Sequence, residues 1–403
     1  MGFQQGLSGL SAASRALDTA GNNIANSNTV GFKQSQTHFA DVFANSLAGG
    51  GALQVGIGAN VSNIAQEFSQ GNISVTNNPL DMVVNGDGFF RMSEGGAISF
   101  TRAGQFHFDK DGFIVNDSNQ RLTGYAADAA GAIVTASAVE LQLSTQDLAP
   151  QPSANLTLGF NLNAADSVIA AAFNPIDPTT FNSSTSLTVF DSLGASHVAT
   201  FYFKKTAGGA WDTLLTVDGA AVTLTPSNIQ FNTSGQLTVP ATGVVTSAAF
   251  TPTGAAAQTL TVNIGQATQF GAPFGVNALS QDGFASGTLS GFSVSGDGIL
   301  IGRYSNGQAR NLGQVVLASF ANTQGLQPLG DTQWAETSTS GAALTGEPGT
   351  GGLGLIQSAA VEDSNVDLTK ELVALIIAQQ MFQANAQTIQ TQDQADQSLI
   401  NIR

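Results

Sequence analysis

Two stretches of helical periodicity occupy opposite ends of this chain, and nearly everything between them reads as short strands and turns. That nesting is the strongest constraint on the fold, because both ends must be accommodated beside a body of different architecture. At the start, Phe3, Leu7, Leu10, Leu17 and Ile24 fall on one side at 3-4 spacing, with Ser14 and Gly21 in the two missing positions. The step Leu10, Leu17, Ile24 is a strict seven, the repeat of a coiled coil. At the end, Leu368, Leu372, Leu375, Gln379, Phe382, Ala386, Ile389, Asp393, Asp396 and Ile400 continue the same alternation. Ser364 precedes that run and Asp367 lies in its first turn, which suits a helix N-terminus.

Neither helix is expected to stand alone. Isolated helices of this length are marginal in water, and Gly6, Gly9 and Gly21 each cost about 1 kcal/mol relative to alanine. The expectation is that both ends are weakly ordered in the free subunit and become helices on association. In that reading Leu7, Leu10, Leu17 and Ile24 pack with Leu368, Leu372, Leu375, Phe382, Ala386 and Ile389 in coiled-coil fashion, within and between subunits. Two amphipathic helices packed on the body of a monomer are the alternative.

The middle of the chain is β. Ser99–Asn116 alternates apolar and polar side chains about an Asp-Gly turn. Ile299–Tyr304 followed by Ser305-Asn306-Gly307 reads as another hairpin, and Leu187–Phe190 and Val198–Phe203 join across Ser192-Leu193-Gly194. Pro and Gly interruptions at 149–152 and 271–273 divide the region. The fold class expected is therefore α+β and multidomain: terminal α-helices forming a coiled coil on assembly, with mainly antiparallel β domains inserted between them. The boundaries are 1–70 with 359–403 for the helices and a connecting arm, 71–145 with 285–358 for an inner β domain, and 146–284 for an inserted outer one. Residues 26–58, with Gly49-Gly50-Gly51 and no clean period, read as the arm. Val84-Asn-Gly-Asp-Gly is weakly echoed by Val294-Ser-Gly-Asp-Gly on the far side of the insertion.

Composition narrows the function classes. With 12 Lys and Arg against 28 Asp and Glu, the formal charge is −16, and the cations are scattered except for Lys204–Lys205. Nucleic acid, which needs a clustered basic face, is excluded as a partner, and an anionic membrane surface is disfavoured. Cysteine is absent, which removes disulfides, iron–sulfur clusters and Cys-based zinc sites. The longest apolar helical stretch, Leu372–Ala378, has seven residues, so no membrane insertion is expected. The first residues lack the positive and continuous apolar segments of a secretory signal peptide.

No chemistry emerges. Gly349-Thr-Gly351-Gly-Leu-Gly354 matches a dinucleotide fingerprint but follows no strand and opens no helix. Asp109-Lys-Asp111-Gly112 starts like a calcium loop, yet Phe113 holds the fifth ligand position. His38, His107 and His197 have no metal-ligand spacing, and Asp87, Asp109 and Asp111 sit in Gly turns that explain them locally. No enzyme activity, cofactor or metal is expected.

Several motifs carry a resemblance. Asn22-Asn23-Ile24-Ala25-Asn26, running on to Gly31-Phe32-Lys33, resembles the N-terminal signature of bacterial flagellar rod and hook proteins. Val361-Glu362-Asp-Ser364-Asn365-Val366-Asp367-Leu368, with Gln379-Gln380-Met-Phe382, resembles their C-terminal signature. Asn85–Phe90, Phe100–Phe106 and Leu317–Leu326 resemble the inner β motifs, so the likeness covers about 1–125 and 285–403. The segment 146–284 carries no recognised motif. Gln34 after Lys33 departs from the family pattern, as do Asp393 and Asp396 where a continuous apolar seam is expected; the two aspartates would face water or a lumen instead of a partner.

Length and the large insertion resemble the hook members more than the shorter distal rod members. The resemblance implies a structural subunit, exported unfolded by the flagellar type III apparatus without a cleavable signal. It implies self-assembly into a curved extracellular tube that acts as a universal joint, transmits torque from rod to filament and encloses the export channel. Implied partners are copies of itself, a distal rod protein, a hook cap protein and a hook–filament junction protein. Gln383, Gln387, Gln390, Gln394 and Gln397 would suit either an uncharged channel wall or a solvated face. The competing class is a secreted carbohydrate-binding adhesin, for which Trp211 and Tyr202 are the obvious aromatic candidates.

Overall fold

The computed structural model describes residues 2–42, 56, 58–143 and 146–401. Gly49–Gly51, assigned to the arm, lies outside them. The terminal helices are α1 (Gly2–Ala25) and α2 (Leu368–Asn401). At 34 residues, α2 is about 51 Å long. It begins four residues later than Ser364, because Asp367 is its cap: one carboxylate oxygen accepts from the N–H of Thr369 and of Lys370 at 2.9 and 3.2 Å.

The chain forms two compact units. The first comprises 1–145, 291–302 and 309–403. Its main sheet runs through 309–315, 121–126, 89–94, 97–101, 333–335 and 327–330, with antiparallel ladders throughout. Phe68, Phe89, Phe100, Phe320 and Trp334 meet edge-to-face on it. The expected Asp-Gly hairpin is present, with Phe108 opposite Ile114. Its turn closes through Asp109 Oδ1, which accepts from the N–H of Asp111 and of Phe113 at 2.8 Å each. The two Gly-Asp-Gly turns flank one segment, Asp87 and Gly296 accepting from the N–H of Gly354 and of Ile356.

The arm differs from its expectation. Ser35–Val42 (β1) and Gly58–Gln66 (β2) form a two-stranded antiparallel ribbon, bulged between His38 and Phe39, that packs against α1. Its period is hidden because both faces are largely exposed and small polar residues alternate with few apolar ones.

The second unit comprises 146–290 and 303–308. Two six-stranded sheets share one core. Strand 155–163 alternates strictly, with Leu156, Leu158, Phe160 and Leu162 all buried. From the other sheet Phe201, Phe203, Trp211 and Leu215 meet them, and the rings of Phe160 and Phe203 are 4.4 Å apart. Strand 155–163 pairs antiparallel with 275–281 and parallel with 261–263 and 268–270. The expected hairpin across Ser192–Gly194 is present, Phe190 opposite Ser196.

Candidate assembly interface

The polar residues of the N-terminal signature end α1 and turn the chain. Asn26 donates from its backbone N–H to Asn22 O at 3.1 Å and from Nδ2 to the same oxygen at 3.0 Å, closing the last helical turn after Ala25. Asn23 is buried and grips β1 at both atoms of one residue: its Nδ2 donates to Ser35 O at 2.8 Å and its Oδ1 accepts from Ser35 N–H at 2.9 Å. Gly31 adopts φ +71°, and a Cβ there would sit 2.4 Å from Ala103 N. Only glycine makes that approach without strain. Its N–H donates to Glu362 O at 2.8 Å, and Phe32 N–H to Thr29 O at 3.2 Å.

Beyond Gly31 lies a buried charge cluster that sequence reasoning missed. Lys33 Nζ is 2.6 Å from Glu362 Oε1, and Arg102 Nη1 is 3.3 Å from Glu362 Oε2. Lys33 also donates to Ser69 O at 2.7 Å, and Arg102 Nη2 to Gly86 O at 2.8 Å. Burial lowers the pKa of both cations from their ordinary values, against the opposing pull of Glu362. Three distant segments therefore meet at one carboxylate. The available signal was that Lys33 and Arg102 are single cations within Gly-containing motifs of a chain only 10% charged.

The C-terminal signature completes the joint. Asn365 Oδ1 accepts from Gln34 N–H at 2.7 Å, and its Nδ2 donates to Glu67 O at 2.8 Å. Ser364 is buried, and its Oγ accepts from Val366 N–H at 3.3 Å.

The helices run antiparallel and touch through small residues. A Cβ at Gly9 would come within 2.5 Å of the Asn385 side chain, and one at Gly6 within 2.8 Å of Ile389. Ala13 and Ala20 are buried on α1, and Leu10, Leu17 and Ile24 are half-buried. On α2 Ala378 is buried, with Leu375, Phe382, Ala386 and Ile389 half-buried. Leu7, Leu368 and Leu372 lie outside this seam, because backbone contact at the glycines turns α1's small face toward α2.

What the seam leaves uncovered is large. Leu368, Leu372, Val373, Ile376, Ile377 and Met381 are between 46% and 55% exposed, on the first half of α2. Burying one such side chain is worth about 1.5–3 kcal/mol, so this surface is costly while it faces water. Beyond Met381, Gln383, Gln387, Gln390, Gln394 and Gln397 are exposed, as are Asp393 and Asp396.

A cleft of about 720 Å³ beside the signature loop is lined by Asn22, Asn26, Phe32, Asp117 and Trp334 among others, and contains no histidine. Among the described residues no group of His, Asp and Glu could hold a metal. No helix among them is long and apolar enough to cross a membrane. Trp211 is fully buried and Tyr202 packs on Phe173 and Phe181, so neither offers a sugar-stacking platform.

Four stretches of the chain match family models. Residues 3–33 match the flagella basal body rod protein model, and 357–402 the flagellar basal body rod FlgEFG protein C-terminal model. Residues 83–149 match the flagellar hook protein FlgE/F/G D1 domain, which defines a flagellar axial protein. Residues 161–284, where no motif was recognised, match the flagellar basal body protein FlaE D2 domain. The flagellar hook protein FlgE of Escherichia coli K12 is 37% identical over all of both chains, and that of Salmonella typhimurium 38% over all of both. The Borreliella burgdorferi hook protein is 34% identical, over 99% of this chain and 98% of the other. The crystal structure of Helicobacter pylori flagellar hook protein FlgE2 shares the fold, with a TM-score of 0.51 at 14% identity over 70% of this chain and 99% of the other. The chain belongs to the flagellar hook protein family, whose members are structural and polymerise into the hook.

Proposed function

We propose that this chain self-assembles into a curved, flexible tube joining rod to filament, and that the uncovered apolar face of α2 drives the assembly. The observation that carries the proposal is that face: six large side chains about half exposed on a helix already packed along its other side. The tube transmits torque and encloses an export channel. A distal rod protein, a cap protein and a junction protein meet its ends, and the flagellar type III apparatus delivers the subunit without cleavage. These finer roles rest on family resemblance.

Electron microscopy of the concentrated protein tests the reading. Tubes are expected from the natural sequence. Ile376→Asp with Ile377→Asp should give none, while the circular dichroism of the β units is unchanged. Discrete particles from the natural sequence, or normal tubes from the double variant, would overturn the proposal.

A further inference from the structure

The helix pair carries two unpartnered apolar surfaces, and they lie at opposite ends. One is the stripe on the first half of α2, centred near Ile376. The other is the tip of α1, where Phe3 and Leu7 are half exposed one turn apart. Gly6, beside Leu7, abuts Asn385 and Ile389, so the tip lies level with the second half of α2. There the exposed face of α2 is glutamine-rich and offers Phe3 and Leu7 no apolar cover within the chain. The stripe centre lies thirteen residues nearer the start of α2 than Ile389, an axial separation of about 20 Å at 1.5 Å per residue.

A homopolymer sorts these surfaces. If the stripe packed on the stripe of a second copy, the contact would be isologous and would close as a dimer. A tube needs a heterologous contact, in which one surface meets a different one and growth stays open. On the helix pair, the only other exposed large apolar side chains among the described residues are Phe3 and Leu7.

Resting on the assembly reading above, we propose that Phe3 and Leu7 of one copy seat on the Leu372–Met381 stripe of the next, tip to base. Neighbouring helix pairs are then offset by about 20 Å along their axes. The intrachain seam and the interchain contact use different faces of α2. The seam holds the pair together through close backbone approach, and the outer stripe takes the large side chains of the neighbour. Because the stripe ends at Met381, the glutamine-rich half beyond it stays outside this contact.

The absence of native cysteine makes the proposal directly testable. Leu7→Cys and Ile377→Cys are prepared as separate variants, mixed, and diluted into the natural protein so that tubes form. A disulfide needs Cα atoms about 4.4–6.8 Å apart. Mild oxidation of the tubes should give a band of two cross-linked chains, absent when either variant is used alone and absent from unassembled protein. Phe3→Cys replaces Leu7→Cys if the latter is excluded from tubes. Dimers from Ile377→Cys alone would show stripe-on-stripe packing and overturn the proposal. Cross-linking of Ile377→Cys to Ile64→Cys on β2, with none to position 3 or 7, would also overturn it by assigning the stripe to the ribbon. Tubes with no cross-link at any of these pairs refute the pairing but leave the assembly reading intact. Failure of the natural protein to form tubes refutes the assembly reading itself.

Discussion

The second unit and the helix pair bury their apolar residues to very different degrees. In 146–290 the large core side chains Phe160, Phe201, Phe203 and Trp211 are essentially inaccessible, and two sheets seal them on both sides. The helix pair seals one seam and leaves a second stripe about half exposed. A unit that closes its own core needs nothing further to be stable. A pair that does not is stabilised by whatever covers it, and its exposed stripe is what supports the assembly role proposed for α2.

The largest expected effect separates these regions outright. Ile376→Asp with Ile377→Asp should abolish tubes and leave thermal unfolding of the monomer little changed, because those side chains are already about half exposed. A lowered melting temperature in the unassembled variant would mean that the stripe is covered within the chain and that the contrast is false.

Next in size is the buried charge cluster, which lies in the unit carrying the helices. Glu362→Gln leaves Lys33 and Arg102 buried without their carboxylate, a loss of about 3–5 kcal/mol. Replacing all three by apolar residues of similar volume (Lys33→Met, Arg102→Met, Glu362→Leu) should recover most of that stability. Denaturant unfolding distinguishes the outcomes: equal loss in the single and triple variants would show that the cluster's hydrogen bonds, not its unpaired charge, set the cost.

The helix contact itself gives smaller effects of opposite sign. Gly9→Ala drives a methyl into Asn385 and should cost about 1–3 kcal/mol. Gly21, with nothing within 4 Å of a built Cβ, should instead gain up to about 1 kcal/mol on Gly21→Ala. Thermal melts of the two variants that shift in the same direction would argue against close approach at Gly9.

These positions also show what could be read from sequence. The 3-4 spacing located both helices, since any buried helix face must repeat that way, and two apolar runs joined across Ser192-Leu193-Gly194 located the 187–203 hairpin. Spacing alone did not assign neighbours. Leu10, Leu17 and Ile24, the seven-residue step, are half-buried beside the small residues of the seam, whereas Leu7 on the same stripe is 54% exposed next to Gly6. The ribbon was unreadable because neither of its faces is well buried. The Lys33–Glu362 pair spans 329 residues, a separation no local pattern encodes. Asn23 and Asn365 were visible as motif residues, but their clamping of backbone groups is a tertiary fact.

The smallest effect belongs to the unit that closes its own core. His197 lies between two turns, its Nδ1 2.6 Å from Asp218 Oδ2 and its Nε2 3.2 Å from Asp191 Oδ2. The hydrogen bond with Asp218 is the main cause raising the imidazole above its ordinary 6.5, and the same bond lowers Asp218. Burial pushes Asp191 up, but its bonds from His197 and from the N–H groups of Ala195 and Leu193 outweigh that and leave it lowered. The imidazolium's contribution is therefore complete below the ordinary histidine value and is lost as pH rises through the raised one. The carboxylates' contribution is present above their ordinary 3.8 and lost as pH falls through the lowered values. As pH rises through the raised histidine value, the second unit should lose melting temperature. Amide exchange at Ala195 and Val198, which donate to the two carboxylates, should quicken over the same range, and His197→Gln should flatten both responses. If exchange at those two amides is indifferent to pH, beyond its intrinsic base dependence, the imidazolium is not what joins the turns, and the second unit's stability is that of its core alone.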